Sequence, residues 1–486
     1  MRPKSGGRSL SAVILAAGLG KRMRSSRIKL LHVIGGAPMV RHVARAAADL
    51  DPEVLAAVVG NQAEEVAAAL SADADLRRAG LAFVTQARQL GTGHAVMQAE
   101  PLVRKLWRKA GEILILSGDV PLIRPATLRF LLKRHRSTKA AATVLTTIVE
   151  NPAGYGRVVR GAGGELLCIV EERDATPAQK KIREINSGIY CADPDALFPA
   201  LKKTSRSNAQ GEHYLPDIVP ILRRKGLRVE TYEHADSEEV LGVNDRAELA
   251  RAGKRLYQRR AEDLMESGVT IVDPACTYVD PEVEVGKDTI IHPMARLQGR
   301  TRIGTGCVIG ASAHIVDSVL GDDVVVRDLC VITEATLGDA TAIGPFAHLR
   351  PGTVLEEGVH VGNFVEVKKS RLGKGSKANH LTYLGDAQIG ERCNIGAGTI
   401  TCNYDGVRKH PTILEDEVFI GSDTQLVAPV RVRRGAYVGA GSTITKEVPE
   451  DSLALSRAPQ RVVKDWAKHR RQQVDSAGTG EAKEKG

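Results

Sequence analysis

Aromatic side chains and paired cysteines are scarce in this sequence. Phe, Trp and Tyr together make up only 3% of the 486 residues, whereas there are 48 glycines. The seven cysteines are scattered and include no CxxC pair, so neither a disulfide framework nor a zinc site is predicted. Reduced thiols are typical of the cytosol, so we predict a cytoplasmic protein. A chain rich in glycine and poor in aromatics suits tightly wound repeats better than a conventional core.

Long apolar runs and basic clusters interleaved with aromatics are also missing. The apolar run Ala12–Ala17 is too short to span a bilayer, so stable membrane insertion is not expected. The formal net charge of +10 favours anionic partners such as phosphates and nucleotides. Because no recognisable module combines basic and aromatic residues, nucleic acid is not a predicted partner.

The first half of the chain has the pattern of an α/β domain. From Ser11 to about Val240, short apolar runs alternate with helical stretches, which predicts a mostly parallel sheet covered by helices. The predicted strands are Ala12–Ala17, Val54–Val59, Leu81–Val84, Glu112–Ser117 and Ala142–Ile148. In such sheets, ligands bind where the carboxyl ends of strands meet loops.

The chain is too long for one hydrophobic core, and its composition divides it into five segments. Asp245-Arg246-Ala247-Glu248 resembles a helix-opening capping box, and Gly268 can end that helix. The predicted segments are a flexible basic extension (1–10), the α/β domain (11–244), a linker helix (245–268), a second domain with a C-terminal arm (269–469) and a disordered polar tail (470–486).

A six-residue repeat begins at Val279 and predicts one strand and one turn for every six residues. Aliphatic residues occupy the repeated position in four runs: Val279, Val285, Ile291, Leu297, Ile303, Ile309 and Ile315; Leu320, Val326 and Ile332; Leu337, Ile343, Leu349, Leu355, Val361 and Val367; and Leu414, Ile420, Leu426, Val432, Val438 and Ile444. Such a coil can be a passive spacer that only trimerises an enzyme. The turn-forming loop Asn403-Tyr404-Asp405-Gly406 interrupts the period and argues for a functional role.

A glycine turn follows the first predicted strand. In Gly18-Leu19-Gly20-Lys21-Arg22-Met23, glycines let backbone N–H groups approach phosphate oxygens, and Lys21 or Arg22 can neutralise their charge. Met23 stands where a dinucleotide-binding fingerprint needs a third glycine, and the spacing to lysine is too short for a P-loop. On its own, the turn fits an ordinary strand-to-helix corner equally well.

Further sequence motifs support a specific interpretation of this glycine turn. The string Leu15–Met23, taken with Lys29, Leu90-Gly-Thr-Gly-His94 and Ser117-Gly-Asp-Val-Pro121, resembles the sugar-phosphate nucleotidyltransferases, and specifically the N-acetylglucosamine-1-phosphate uridyltransferase domain, over about residues 11–245. The resemblance implies a Rossmann-like α/β domain that binds UTP and Mg2+. It implies nucleotide contacts from Leu15, Ala16, Ala17, Gly18, Ser117 and Gly118, uracil contacts from Gln86, Gly91 and Thr92, phosphate contacts from Lys29 and Arg22, sugar contacts from Gly156, Glu171 and Asn186, and Mg2+ ligands from Asp119 and Asn244.

The repeat carries a second set of strings. His348-Leu-Arg-Pro-Gly352, Gly362-Asn-Phe-Val-Glu-Val-Lys-Lys369, Asn379-His-Leu-Thr-Tyr-Leu-Gly385, Asn394-Ile-Gly-Ala-Gly398, Thr401–Gly406 and Gly421-Ser-Asp-Thr-Gln425 resemble the glucosamine-1-phosphate acetyltransferase domain of the bifunctional enzyme, over about residues 269–460. This resemblance implies a left-handed parallel β-helix of hexapeptide repeats that assembles as a homotrimer.

The second resemblance also implies residue roles. His380 is the expected general base, because imidazole titrates near working pH and the amine substrate must lose a proton. Arg350 and Lys368 are expected to hold the sugar phosphate, and Tyr383 and Asn394 the sugar hydroxyls. The expected acetyl-CoA contacts are Ala397, Asn403, Tyr404, Ser422, Ala440 and Arg457. Nothing near Cys402 marks an activated thiolate, so we expect direct acetyl transfer.

The sequence thus predicts an enzyme that acetylates glucosamine-1-phosphate with acetyl-CoA and then joins N-acetylglucosamine-1-phosphate to UTP, making UDP-N-acetylglucosamine. One alternative is a sugar-phosphate nucleotidyltransferase for an ADP- or GDP-sugar whose β-helix is not catalytic. The other is a hexapeptide scaffold without enzymatic activity.

Overall fold

The chain folds into two compact units. In the computed structural model, described residues are 9–18, 20–60, 62–106 and 111–478. The first unit comprises Met1–Asp263 with Val279–Pro281, and the second comprises Leu264–Tyr278 with Glu282–Gly486. None of the described helices is long and apolar enough to cross a membrane.

The first unit is built on a mixed, mainly parallel sheet. Seven strands follow one another across it in the order Val229–Glu233, Ala142–Ile148, Glu184–Ala192, Gly111–Ser117, Ser9–Ala16, Val54–Val59 and Ala82–Thr85, while Arg157–Arg160 pairs with both Glu184–Ala192 and Leu166–Val170. Glu184–Ala192 runs antiparallel to both of its neighbours, and the other strands of the main path pair in parallel.

Helices cover this sheet and explain why its central strands are apolar on both faces. The α-helices are Met39–Ala48, Ala63–Ser71, Ala74–Arg78, Thr92–Leu106, Pro125–Thr138, Pro194–Leu201, Ile218–Arg224, Ser237–Val240 and Arg246–Glu266; the 3-10 helices are Lys21–Met23, Lys29–Leu31, Gln179–Lys181 and Leu215–Asp217; and a small hairpin joins Val33–Ile34 to Ala37–Pro38. Ala12 and Ile14 belong to one buried cluster and Val13 to the other, because successive side chains point to opposite faces.

All five strands predicted for this unit are present, with small shifts of their ends. The first begins earlier than predicted, at Ser9, because Ser9 and Leu10 pair with Gly111 and Glu112. The predicted flexible extension 1–10 therefore differs from the structure at Ser9 and Leu10, while residues 1–8 lie outside the described residues.

The helix Arg246–Glu266 lies within the range predicted for the linker, but most of it belongs to the first unit. Leu249 and Leu256 pack against a buried cluster that includes Ile34 and Leu122. The guanidinium of Arg259 donates to the carbonyl of Leu122 (2.7 Å). These contacts make the helix a packed part of the α/β unit.

The second unit is the predicted left-handed parallel β-helix of hexapeptide repeats. Strands pair in parallel with the third strand after them, so that successive coils contribute strands to three faces; in the last coil, Tyr437–Val438 instead pairs with the second strand after it, Leu453–Ala454. The first face contains Thr270–Ile271, Ile290–Ile291, Val308–Ile309, Val325–Val326, Ala342–Ile343, His360–Asn363, Lys377–His380, Asn394–Ile395, Phe419–Ile420, Tyr437–Val438 and Leu453–Ala454. The second face contains Tyr278–Val279, Arg296–Gln298, His314–Val316, Val331–Thr333, His348–Leu349, Glu366–Lys368, Tyr383–Gly385, Ile400–Cys402, Gln425–Val427 and Thr443–Ile444. The third face contains Glu284–Val285, Arg302–Ile303, Val319–Leu320, Thr336–Leu337, Val354–Leu355, Arg371–Leu372, Ala387–Ile389, Thr412–Leu414 and Val430–Val432.

The repeated aliphatic positions form the axis of the coil. All of those predicted from the period are buried except Val285, which is half-buried near the first coil. The interruption after Thr401 is a loop between the strands Ile400–Cys402 and Thr412–Leu414.

The C-terminal segment differs from its prediction. An α-helix spans Trp466–Gly478, whereas the sequence predicts disorder throughout 470–486. The side chains of Trp466 to Val474 are exposed, so this part of the helix needs few apolar residues. Residues 479–486 lie outside the described residues.

Candidate active sites

A cavity of about 580 Å³ opens in the first unit at the carboxyl ends of parallel strands. Leu15 and Ser117 end two adjacent strands, and Gln86 directly follows a third. Nine of the predicted nucleotide-site residues line this cavity: Leu15, Ala17, Gly18, Lys29, Gln86, Gly91, Thr92, Ser117 and Asp119. Two others support its wall from behind. Ala16 is fully buried, and the N–H of Gly118 donates to the carbonyl of Leu15 (3.0 Å).

The glycine turn brings a lysine to the cavity. Gly20 has a left-handed backbone (φ +61°), and a Cβ at this position would collide with the side chain of Lys29. Glycine therefore relieves strain and makes room for Lys29. A Cβ at Gly18 would meet nothing within 4 Å, so its backbone faces open space where a ligand can approach.

Two oxygen-bearing side chains converge on the Lys29 ammonium. Lys29 forms an ion pair with Asp119 and donates to the amide oxygen of Asn244 (3.2 Å). Arg22 donates to the same Asn244 oxygen (2.8 Å), and Ser117 donates to Asp119 (2.6 Å). Burial alone would raise the pKa of Asp119, but Lys29 and the Ser117 hydroxyl lower it below its usual value.

This arrangement fits a Mg2+ site. A carboxylate and an amide oxygen already share one cation between them, and Mg2+ prefers such oxygen ligands. The loop that carries Asn244 is fixed by its backbone: Val243 donates to the Asp119 carbonyl (2.8 Å), and Asn244 donates to the Glu248 carboxylate (2.6 Å). Asp245 accepts from the N–H of Glu248 (2.8 Å), as in a helix N-cap.

The three predicted sugar contacts lie together but do not line the nucleotide cavity. Asn186 donates its backbone N–H to the carbonyl of Gly156 (2.9 Å), and a Cβ at Gly156 would lie 3.1 Å from the Glu171 carboxylate. Burial, with repulsion from Asp174 and Asp217, raises the pKa of Glu171 to about 7. Glu171 lines a second cavity of about 520 Å³. A carboxyl group poised between its two forms can both accept and donate hydrogen bonds to hydroxyl groups.

A tyrosine connects the predicted sugar contacts to the loop that carries Asn244. Tyr155, next to Gly156, donates its hydroxyl to the carbonyl of Gly242 (3.1 Å), and a Cβ at Gly242 would lie 3.4 Å from the Asp119 carboxylate. Sequence reasoning missed Tyr155, and it missed seven residues of the nucleotide cavity: Leu30, Gln89, Ala95, Arg173, Ala209, Gln210 and Glu212. Leu30, Gln89 and Ala95 directly adjoin residues of the predicted motifs, whereas no motif marks the other four, which segments distant in sequence bring to the cavity.

In the β-helix, a cationic cluster occupies the second face. Three strands of this face are stacked in register: His348–Leu349, which Arg350 follows, Glu366–Lys368 and Tyr383–Gly385. Glu366 lies opposite Tyr383. Arg350 donates to Glu366 (2.7 Å). The side chain of Lys409 lies near that of Lys368, and the interaction between these two basic groups lowers the pKa of Lys368. Two lysines and an arginine held together in this way are suited to an anion such as a phosphate.

Lys409 comes from the loop that interrupts the repeat, and sequence reasoning missed it. The loop is a hairpin in which Tyr404 pairs with Lys409 and the Asn403 carbonyl accepts from the His410 N–H (2.8 Å). The Asp405 carboxylate accepts from Val407 N–H, Arg408 N–H and the His410 ring (2.8, 2.6 and 2.7 Å). These bonds lower the pKa of Asp405 to about 2 and fix the turn that presents Lys409. Two cations just after a turn, Arg408 and Lys409, were the available signal.

His380 ends a strand of the first face. Asn363 lies opposite it in the neighbouring coil, and Nδ1 of His380 lies 2.9 Å from the Asn363 amide oxygen. An amide oxygen only accepts, so Nδ1 of His380 donates this hydrogen bond. His380 is exposed to solvent, and Asn394 belongs to the adjacent strand of the same face. The hydrogen bond to Asn363 therefore fixes the orientation of the His380 ring.

Three of the predicted acetyl-CoA residues form a column of small side chains. Ala397, Ser422 and Ala440 follow Gly396, Gly421 and Gly439 at the same corner of successive coils. Cβ atoms at Gly396 and Gly421 would lie 2.6 and 2.5 Å from the backbone N of Ser422 and Ala440, respectively, so larger residues cannot stack there.

Other predicted acetyl-CoA residues have fixed neighbours. Arg457 donates to the carbonyl of Ala440 (2.8 Å), which places a guanidinium at this column. Asn403 is buried and donates to Asp386, whereas Tyr404 is exposed and donates to the carbonyl of Gly406 (2.6 Å). Asp386 is thus a further residue that sequence reasoning missed.

Comparisons with known proteins identify the same two kinds of domain. Residues 12–184 match the family model of the MobA-like NTP transferase domain, residues 274–372 that of the GMPPB C-terminal domain, and residues 411–446 that of the hexapeptide repeat of succinyl-transferase.

Curated relatives match nearly the whole chain. A bifunctional protein GlmU of Geobacter metallireducens is 50% identical over 96% of this chain and 99% of its own length. Those of a Geobacillus species and of Listeria welshimeri are 48% and 46% identical, over 92% and 94% of this chain and 95% and 98% of their own lengths, respectively. The chain therefore belongs to the GlmU family of bifunctional N-acetylglucosamine-1-phosphate uridyltransferases and glucosamine-1-phosphate N-acetyltransferases, as its sequence motifs predicted.

Proposed function

We propose that the two sites act in succession, acetylating glucosamine-1-phosphate in the β-helix and then transferring uridylate to the product in the α/β unit. The observation that carries this proposal is that each unit has its own cationic pocket beside a reactive constellation. Lys29 and Arg22 lie beside Asp119 and Asn244, and Lys368 with its neighbouring cations lies in the coil next to that of His380.

In the acetyl-transfer site, His380 takes the proton from the substrate ammonium through Nε2. Arg350, Lys368 and Lys409 bind the sugar phosphate, and Tyr383 and Asn394 bind sugar hydroxyls. The freed amine attacks the thioester carbonyl of acetyl-CoA; the new C–N bond forms, the C–S bond breaks, and the thiolate leaves and takes a proton. Acetyl-CoA binds along Ala397, Ser422 and Ala440 with Asn403 and Tyr404, and Arg457 meets its phosphates.

In the uridylyl-transfer site, Asp119 and Asn244 hold Mg2+. When bound, the ion offsets charge that develops on the transferring phosphoryl group. Leu15–Gly18, Ser117 and Gly118 contact the nucleotide, and Gln86, Gly91 and Thr92 contact uracil. Lys29 and Arg22 release their oxygen partners and bind phosphate oxygens. Gly156, Glu171 and Asn186 hold the sugar, whose phosphate oxygen attacks the α-phosphate of UTP and displaces pyrophosphate.

One assay tests this proposal against its alternatives. The protein is given glucosamine-1-phosphate, acetyl-CoA, UTP and Mg2+, and free thiol and pyrophosphate are followed separately. We expect both products, and ATP or GTP in place of UTP is expected to give little pyrophosphate. Pyrophosphate without thiol would favour a nucleotidyltransferase with a passive coil, and neither product would favour a scaffold.

Lys409→Ala is expected to weaken binding of glucosamine-1-phosphate. Loss of a charged hydrogen bond costs about 1.5–3 kcal/mol, so KM for this substrate should rise roughly 10- to 100-fold, with a much smaller change in KM for acetyl-CoA. Initial rates of thiol release measure both constants. Arg408→Ala removes the same charge from the same loop and serves as the matched control. Equal effects of the two substitutions would contradict a specific phosphate contact by Lys409.

We also propose that the protein is a homotrimer that buries a corner ridge of the β-helix. This ridge consists of the exposed apolar residues Met294, Leu329, Phe346, Phe364 and Leu381, which occupy corners of the coil with φ between +47° and +63°. Phe346 and Phe364 are stacked, with ring centroids 5.2 Å apart. Apolar residues on such strained corners support burial against another copy. Leu381 directly follows His380, so the acetyl site adjoins this surface.

Phe346→Asp is expected to dissociate the trimer, because it places a charge in a buried apolar contact. Light scattering should show a loss of about two thirds of the assembled mass. Val319→Asp, an equally exposed apolar site on the third face, is the control and should leave the mass unchanged. We expect dissociation to lower thiol release more than pyrophosphate release. An unchanged mass for Phe346→Asp would contradict the proposed interface.

The cytoplasmic location stays a prediction.

A further inference from the structure

The amide of Gln86 is held in one orientation at the wall of the nucleotide cavity. The side chain is only 4% exposed. Its amide nitrogen lies 3.1 Å from the carbonyl oxygen of Gly91 and 2.9 Å from Nδ1 of His94. Both amide hydrogens are therefore used within the protein. The amide oxygen has no donor among the described residues and is left to accept from a ligand.

The Gly91 carbonyl and His94 together determine this orientation. A carbonyl oxygen only accepts, so the amide cannot turn its own oxygen towards Gly91 without repulsion. The same amide nitrogen then requires an acceptor at Nδ1 of His94, and the imidazole must be neutral with its proton on Nε2. The Gln98 amide lies 3.1 Å from Nε2 and can accept this proton through its oxygen after a 180° rotation that gives up the longer contact of its nitrogen with the His94 carbonyl oxygen (3.4 Å).

The surroundings of His94 keep it neutral. Burial, together with His213 and Arg206, lowers the pKa of the ring, and a hydrogen bond to the Arg88 backbone opposes this only in part. A protonated ring would carry a hydrogen on Nδ1, which would repel the Gln86 amide hydrogens. The site therefore holds His94 in the form that accepts from Gln86.

Pyrimidine bases differ at the edge that Gln86 reads. Uracil carries an N–H donor at N3, whereas cytosine has a lone pair at N3 and an amino group beside it. An amide oxygen fixed towards the base pairs with the donor of uracil and repels the lone pair of cytosine. We propose that His94 is a positioning residue that selects uracil over cytosine nucleotides by fixing the amide of Gln86. This inference rests on the proposed use of UTP.

The test compares nucleotide preference in two variants. His94→Leu keeps the bulk of the ring but removes the acceptor, whereas His94→Asn keeps an acceptor near the position of Nδ1. We expect His94→Leu to reduce the ratio of kcat/KM for UTP over CTP at least tenfold, and His94→Asn to keep it within about threefold of wild type. A merely structural role would lower both nucleotides equally. That result, or an unchanged ratio in His94→Leu, would overturn the proposal.

Binding measurements separate this proposal from the proposed reaction. The affinities of UTP and CTP are measured by calorimetry with Mg2+ for the wild-type protein and both variants, and the same shift in preference is expected. If wild-type protein releases no pyrophosphate but prefers UTP through His94, the reaction fails and the inference stands. If wild-type protein binds the two nucleotides equally, the inference is overturned whatever the activity.

Discussion

His380→Ala is expected to abolish release of free CoA while pyrophosphate release from N-acetylglucosamine-1-phosphate and UTP continues. The amine of glucosamine-1-phosphate arrives largely as an ammonium ion and must lose a proton. We propose that Nε2 of His380 accepts this proton, and the hydrogen bond from Nδ1 to Asn363 orients the ring. Loss of a positioned general base typically costs 10²- to 10⁴-fold in rate, so thiol release should fall by about that factor. The two products are followed separately with matched substrate concentrations.

The design includes a control on the same face of the coil. His360→Ala removes another exposed histidine, which lies in the strand next to that of His380, and should leave thiol release within about twofold of wild type. Thiol release within tenfold of wild type, or simultaneous loss of pyrophosphate release, would contradict a base confined to the coil.

Much of the fold could be predicted because its signals are local and repeated. The strands Val54–Val59 and Ala142–Ile148 have the predicted bounds; the first is a buried parallel strand that is apolar on both faces, and the second is a run rich in β-branched residues. The aliphatic period from Ile291 onward marks the axis of the coil, because each turn needs one inward-facing side chain per face. The start of the first strand could not be predicted, because Ser9 is polar and its place depends on pairing with Gly111.

The candidate sites were predictable where a motif contributes the residue and not where distant segments meet. The structure brings together Lys29, Asp119 and Asn244, which the motifs singled out, while their roles stay proposals. Lys409 was missed, because its position beside Lys368 depends on the hairpin that Asp405 closes. The hydrogen bond between His94 and Gln86 joins a helix to a loop, so the sequence could show the motif but not the orientation of the amide.

Asp119→Ala is expected to produce the opposite defect, with pyrophosphate release lost and thiol release kept. The substitution removes the only carboxylate proposed as a Mg2+ ligand and leaves Lys29 without its ion pair. The site would then hold neither the metal nor a defined lysine position, and losses of 10²-fold or more in kcat/KM are typical when charge stabilisation of a transferring group is removed. Pyrophosphate release is titrated with Mg2+ to show whether excess metal restores it.

Asp119→Asn removes the negative charge without changing the size of the side chain, so it tests the charge apart from the stability of the fold. It keeps the size of the side chain and one oxygen that can accept from Ser117, so thermal unfolding should stay close to wild type, while pyrophosphate release should remain low and require more Mg2+. Because Asp119 and His380 belong to different compact units, each defect should leave the other activity intact. When the two variants are mixed, N-acetylglucosamine-1-phosphate made by one protein should be used by the other, which restores synthesis of UDP-N-acetylglucosamine from glucosamine-1-phosphate. Failure of this complementation, with each single activity intact, would show that the intermediate does not pass freely between the two sites.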